Sequence, residues 1–226
     1  MVTVKRLGMI TIGQAPRPDA APMLETHLAG RAELVQAGVL DGMTKQDIEA
    51  HLAPGPGEYV LTSRMANGEA VVVSRERIQP MLQRKIHEME ETGIRTILLF
   101  CTGVFPGLSA EKAFLIEPDR VIPPTVAAMV RSRRLGVMVP LKVQAEALRP
   151  KYLPHGLDPV FAVASPYDRD EESLHAASEA LKDKADIVLL DCMGYTEEAR
   201  RLVAEQTGLP VMLSNAIMAK LVSEMI

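Results

Sequence analysis

Leu98-Leu99-Phe100-Cys101-Thr102-Gly103 and Leu189-Leu190-Asp191-Cys192-Met193-Gly194 share Leu, Leu, Cys and Gly at matching positions. Each is a short apolar run that stops at a cysteine, and between them they hold both cysteines of the chain. Upstream of each lies a second matched pair, Lys5-Arg6-Leu7-Gly8-Met9-Ile10 and Arg133-Arg134-Leu135-Gly136-Val137-Met138. The order is the same in both halves: an Arg-Leu-Gly strand first, then a strand ending in Leu-Leu-X-Cys-X-Gly. Buried strands draw on few residue types, so chance likeness is the competing account. Two landmarks recurring in order favour an internal duplication. The interval from Gly8 to Cys101 is the longer one, and the 54–74 region with its surroundings fits as an insertion in the first half.

Outward from these landmarks, β-rich runs alternate with helical-period segments, the pattern of a parallel sheet covered by helices. Strands are expected at Leu7–Ile12, Ala32–Ala37, Thr96–Phe100, Leu135–Val139, Pro159–Ala164, Ile187–Leu190 and Pro210–Leu213. Most are near-continuous apolar runs, as strands buried on both faces should be. Helices are expected at about 20–29, 45–52, 75–92, 123–131, 142–151, 170–183, 197–207 and 215–225. Ile78, Met81, Leu82, Lys85, Ile86 and Met89 fall on one helical face. Tyr59–Thr62 and Ala70–Ser74 around Asn67-Gly68 read as a β-hairpin. The fold class is therefore α/β, with two pseudo-symmetric lobes, each a mostly parallel sheet flanked by helices, and a cleft between them. Residues 1–115 plus 210–226 are assigned to the first lobe and 116–209 to the second.

The composition suits a folded enzyme-sized chain: 226 residues, 47% hydrophobic, enough to bury a substantial core. A net charge of −4, with no Trp, 4 Tyr and 4 Phe, argues against a nucleic-acid partner, which needs Lys/Arg for phosphates and rings for bases. The N-terminal run Met1–Gly13 is interrupted by Lys5 and Arg6 and lacks the layout of a signal peptide. No uncharged apolar stretch approaches the roughly 18 residues that span a bilayer. Two cysteines far apart encode neither a disulfide framework nor a zinc site. The five histidines show no ligand spacing, and Glu88, Glu90 and Glu91 read as a solvated helix face. The expectation is a cytoplasmic protein with free thiols, no metal, no membrane partner and an open question of homo-oligomerisation.

Both cysteines fall at the carboxyl end of an expected parallel strand, where ligands of open α/β sheets sit. Thr196, a candidate N-cap followed by Glu197-Glu198, puts Cys192 shortly before a helix N-terminus, whose N–H groups lower a thiol pKa and attract anions. Most free cysteines are small buried hydrophobes. Matching positions in matching strands favour a second reading, in which Cys101 and Cys192 form a two-thiol acid/base pair. One thiolate removes a proton beside a carboxylate and the other thiol returns one to the opposite face. Pre-organised donors must then stabilise the enediolate. Candidates for binding the substrate are Thr11, Gln14 and Arg17 after the first strand, Thr102 and Gly103 after Cys101, and Ser165 after a third strand. To these are added Met193, Gly194, Tyr195, Thr196 and Asn215. Arg17 can clamp a carboxylate bidentately or be a solvated turn residue. Asn215 can reach the cleft or simply cap the last helix. Ser165-Pro166-Tyr167 offers hydroxyls or is a plain turn. Strand alternation should point Asp191 away from Cys192.

Thr11-Ile12-Gly13-Gln14-Ala15-Pro16-Arg17-Pro18-Asp19, the run from Leu98 to Pro106, Leu190-Asp191-Cys192-Met193-Gly194-Tyr195-Thr196 and Leu213-Ser214-Asn215-Ala216 together resemble the AroM family over essentially the whole chain. That family is in turn similar to the aspartate/glutamate/hydantoin racemase superfamily. The resemblance implies two α/β lobes with one cysteine from each at a shared cleft, and cofactor-independent racemisation. Decarboxylases and maleate isomerases are the cysteine-using cousins. Amino-acid racemases of the superfamily typically follow the first cysteine with Asn-Thr and flank the second with Gly before and Thr-Glu after. Here Cys101-Thr102-Gly103 and Asp191-Cys192-Met193-Gly194 depart from that pattern. Met193 offers no donor to a carboxylate, which sets a more apolar small carboxylate level with an α-amino acid as substrate. The function expected is a cofactor-independent racemase or isomerase of a small carboxylate. The alternatives are a non-catalytic small-molecule binding protein of the same fold, or a single-cysteine decarboxylase or isomerase.

Overall fold

A computed structural model describes residues 5–168 and 170–226, so Met1–Val4 of the N-terminal run lie outside the described residues. The chain divides into two units, Met1–Pro118 with Ala219–Ile226, and Asp119–Met218. The first unit runs β1 (Lys5–Thr11), α1 (Ala21–Leu28), β2 (Ala32–Gly38), α2 (Lys45–His51), β3 (Val60–Arg64), β4 (Ala70–Ser74), α3 (Arg75–Glu91), β5 (Thr96–Phe100) and β6 (Phe114–Ile116). The second runs α4 (Pro118–Val130), β7 (Leu135–Val139), α5 (Lys142–Tyr152), β8 (Val160–Val163), α6 (Glu171–Lys182), β9 (Ile187–Leu190), α7 (Glu197–Thr207), β10 (Val211–Leu213) and the start of α8 (Ser214–Ser223), whose end from Ala219 on belongs to the first.

Each unit carries a four-stranded parallel sheet, in the order β2-β1-β5-β6 in the first and β10-β9-β7-β8 in the second. By order of appearance in each lobe, both sheets are arranged second, first, third, fourth. The repeat read in the sequence is thus a repeat of topology. The fold is α/β, with two parallel-sheet lobes flanked by helices. All five residues of β7 are buried, as are Leu7–Thr11 of β1 and Ile97–Phe100 of β5. Helices on both faces of a parallel sheet require this two-sided burial, and it explains the unbroken apolar runs.

The repeated glycines have one job in both lobes. A β-carbon on Gly8 would come 2.2 Å from Met89 Sδ and 3.2 Å from Ile94. One on Gly136 would come 3.0 Å from Ala185 and 3.2 Å from Leu181. Met89 and Leu181 belong to α3 and α6, the helices that precede the third strand of each sheet. The missing side chain lets that helix lie tight on the strand. Ile78, Leu82, Ile86 and Met89 of α3 are buried there, while Met81 is partly covered. Burying each such side chain is worth about 1.5–3 kcal/mol relative to leaving it in water.

The insertion in the first lobe is α2 and the antiparallel β3–β4 hairpin, whose Leu61, Val71 and Val73 join the first-lobe core. Four expectations differ from the structure. β6 was not anticipated, because three residues are too short to show a period. α4 begins at Pro118, with Pro123 and Pro124 inside the helix rather than opening it. Glu90 is not solvated: its carboxylate is buried and accepts from the N–H groups of Lys112 and Ala113 at 2.5 and 2.7 Å. The expected return to the first lobe was at Pro210, but β10 pairs with β9 and the unit boundary falls at Ala219.

Candidate functional site

In an open parallel sheet, a crevice forms beyond the carboxyl ends of the two neighbouring strands where the strand order reverses, and ligands bind there. Those strands are β1 and β5 in the first lobe and β7 and β9 in the second. Cys101 immediately follows β5. Asp191 N–H still donates to Met138 O at 2.9 Å, extending the β9 ladder by one residue, so Cys192 stands at the equivalent place. Neither cysteine is in a disulfide, and each residue keeps 9% of its surface exposed.

The main chain meets each sulfur in the same way. Gly103 N–H donates to Cys101 Sγ at 3.3 Å, and Gly194 N–H donates to Cys192 Sγ at 3.5 Å. An N–H aimed at sulfur favours thiolate over thiol. The glycine two places after each cysteine also has a steric reason. A β-carbon on Gly103 would lie 2.6 Å from Leu61 Cδ2, and one on Gly194 would lie 2.5–2.8 Å from three atoms of Tyr167.

The first lobe draws Thr11 and Arg17 together. Arg17 does clamp a carboxylate bidentately, but it is that of Asp19, at 2.9 and 2.7 Å. Its remaining nitrogen donates to Thr11 Oγ1 at 3.1 Å, and its guanidinium lies 5.8 Å from the centre of the Phe100 ring. Arg17 is 2% exposed, so it is a buried cation rather than a solvated turn residue. Burial pushes the Asp19 carboxyl up, but the Arg17 hydrogen bond and the Arg17 and Arg64 charges outweigh it and hold it below the usual range. Gln14 donates to Leu40 O and Met43 O and accepts from Ala66 N–H, tying the loop after β1 to two other segments. Thr102 is buried beside Cys101.

In the second lobe the loop after β9 is held from several sides. Asn215 donates to Met193 O at 3.1 Å and to Tyr195 O at 2.7 Å. The Tyr195 hydroxyl donates to Ala164 O at 2.5 Å. Burial first, then the neighbouring Cys192, Asp191 and Tyr167, keep that phenol protonated well above the usual tyrosine range. Thr196 caps α7, its Oγ1 accepting from Ala199 N–H at 3.2 Å. Met193 is buried. Ser165 Oγ accepts from Tyr167 N–H at 3.2 Å, and the Tyr167 hydroxyl lies 3.7 Å from Cys192 Sγ.

Asp191 sits in a buried polar knot: Lys151 Nζ at 2.8 Å, Tyr152 Oη donating at 2.6 Å and Ser214 Oγ donating at 3.2 Å. Two features escaped the sequence reading. Ser165 and Tyr167 are alternative hydroxyls of one turn in the sequence; Tyr167 is the one within reach of the sulfur, and no spacing rule encodes the path of the loop after β8. Lys151 was read as one more helix residue, since its partner lies 40 positions away. Among the described residues no cluster of three or more His, Cys, Asp or Glu is arranged to hold a metal ion. Nor is any described helix long and apolar enough to cross a membrane.

The comparisons with known proteins agree with this architecture. A family model described as AroM protein matches residues 7–226. A search of curated proteins finds no match. Among solved structures, the aspartate racemase of Picrophilus torridus superposes with a TM-score of 0.62 at 12% identity, covering 97% of this chain and 94% of that one. The allantoin racemase from Klebsiella pneumoniae gives 0.63 at 14%, covering 98% and 87%. The maleate isomerase Iso from Pseudomonas putida S16 gives 0.62 at 14%, covering 97% and 93%. At these identities the likeness shows the fold.

Proposed function

The chain belongs to the AroM family, and from that premise we propose that it is a racemase or isomerase of a small carboxylate, worked by Cys101 and Cys192 without a cofactor. The observation that carries the proposal is the equivalence of the two thiols. Each ends the third strand of its sheet, keeps an exposed edge, and receives a glycine N–H at its sulfur. A thiolate takes the proton from the carbon beside the carboxylate, and the second thiol delivers one to the other face. Each turnover leaves the two thiols with their protonation exchanged, a state that serves the reverse direction or is reset by proton exchange with water, and no group is left for a cofactor to supply. Main-chain N–H groups after each cysteine, with the hydroxyls of Thr102 and Ser165, receive the enediolate charge. Gln14 and Arg17 act from behind, since their polar groups hold the loop that follows Thr11 at the end of β1. An aspartate racemase and a maleate isomerase among the structural neighbours, named for small carboxylates, support the substrate class.

Deuterium uptake at the α-carbon of a panel of small carboxylic acids tests the proposal. Wild type should exchange at least one acid, and Cys101→Ser and Cys192→Ser should each lower the rate by about 10²-fold or more, the usual worth of a positioned acid or base. Loss with one substitution only would turn the reading to a single-thiol enzyme. An acid that raises the melting temperature yet never exchanges would make the protein a binding module.

A further inference from the structure

We infer that Tyr167 is a positioning residue that sets the acidity of Cys192, holding it as the thiolate that accepts the substrate proton. Its meaning in turnover rests on the two-thiol reading above, whereas its geometry and its test do not. The Tyr167 hydroxyl is 3.7 Å from Cys192 Sγ, and Gly194 N–H approaches the same sulfur at 3.5 Å. A phenol O–H donates more strongly to a thiolate than to a thiol, so the contact selects the ionised form. The ring is held for this contact. Gly194 leaves the space that a β-carbon would take from the ring, and Ser165 Oγ fixes Tyr167 N–H at 3.2 Å. Tyr195 ties the loop after β9 to Ala164, three residues before Tyr167.

The other ionisable groups around the sulfur do not cancel the effect. Asp191, the preceding residue, would oppose a second negative charge, but Lys151 lies 2.8 Å from its carboxylate. Tyr152 donates to the same carboxylate at 2.6 Å, and the Tyr195 phenol is committed to Ala164 O. Tyr167 thus sets a hydroxyl within reach of Cys192, and that hydroxyl donates once the sulfur is ionised, in a loop built to hold it there.

The test is the pH profile of iodoacetamide alkylation of Cys192, followed by mass in the Cys101→Ser protein. The apparent thiol pKa should lie below the free-cysteine value of about 8.5. Tyr167→Phe should raise it by roughly one unit, slowing alkylation near neutral pH by up to about tenfold. Gly194→Ala, which keeps the phenol but displaces the ring, should move it in the same direction. Cys101 in the Cys192→Ser protein serves as a control, and its profile should not respond to Tyr167→Phe. An unshifted Cys192 profile in whichever variant folds overturns the inference. If neither folds, an apparent pKa at or above about 8.5 in the Cys101→Ser protein does so. Alkylation needs no substrate, so a shifted profile in a protein that exchanges no acid would sink the proposed function and leave this inference standing.

Discussion

Phe100 and Asp191 occupy the same place in the two lobes, the last ladder position before each cysteine, and both side chains are buried. One is a hydrocarbon ring and the other a carboxylate. Each has a buried cation for company, reached by a different route. Arg17 lies over the Phe100 ring at 5.8 Å and spends its charge on Asp19, while Lys151 pairs directly with Asp191 at 2.8 Å. Strand order, the helix-seating glycine and the sulfur with its glycine N–H all repeat. The side chain behind each sulfur does not. Backbone topology fixes where a strand-end residue lies, but any pair of side chains that fills the volume and satisfies its polar atoms can stand behind it.

The hardest blow to this comparison is Lys151→Met. It leaves the Asp191 carboxylate buried without its cation, and unfolding in urea should show a loss of about 3–5 kcal/mol. Arg17→Met should cost less, because Asp19 is 13% exposed and keeps Arg64 at 3.3 Å. Equal losses would mean that the two buried cations are equivalent after all.

The glycines sharpen the side of the comparison that repeats. Gly8→Ala and Gly136→Ala should each destabilise by about 1–3 kcal/mol, the range for overpacking a filled interior. Gly8 should stand at the upper end, because its β-carbon meets Met89 at 2.2 Å where that of Gly136 meets nothing nearer than 3.0 Å. Thermal melts of the two variants decide it. A neutral Gly136→Ala would show that α6 is seated more loosely than α3.

What the sequence disclosed followed what is local and periodic. Apolar runs at β1, β5, β7 and β9 announce buried parallel strands, and the Leu-Gly and Cys-X-Gly landmarks announce the doubling. Those same landmarks located both sulfurs. The partners of the site residues were hidden because they depend on contacts distant in the chain. Nothing in the sequence tells that Arg17 is buried and paired with Asp19, two residues on. Asp191 could be turned away from the thiol by strand alternation, but nothing in the sequence points to Lys151 as its cation. Ser165 and Tyr167 were equivalent hydroxyls in one turn, and only the course of the loop after β8 separates them.

Glu90 gives the mildest test and the one read by pH. In the first lobe this buried carboxylate, at the end of α3, accepts from Lys112 and Ala113 N–H groups just before β6, with His87 Nδ1 at 3.3 Å. In the second lobe two carboxylates, Asp183 and Asp186, lie between α6 and β9, and Asp186 meets Arg134 at the surface, a contact that holds its pKa down to about 2. Burial pushes the Glu90 carboxyl up, but the N–H groups of Lys112, Ala113 and Glu111, with His87, outweigh it and leave it below the ordinary 4.5. A carboxyl lowered by folding contributes stability in full above its unfolded pKa and loses it as pH falls through the folded value. Glu90→Gln should therefore cost about 1–2 kcal/mol at pH 7, the worth of charge-assisted hydrogen bonds exchanged for neutral ones. The gap between variant and wild type should close as the pH drops below 4.5. A gap that persists undiminished in acid would show that Glu90 holds the approach to β6 by shape, and that its charge contributes nothing there.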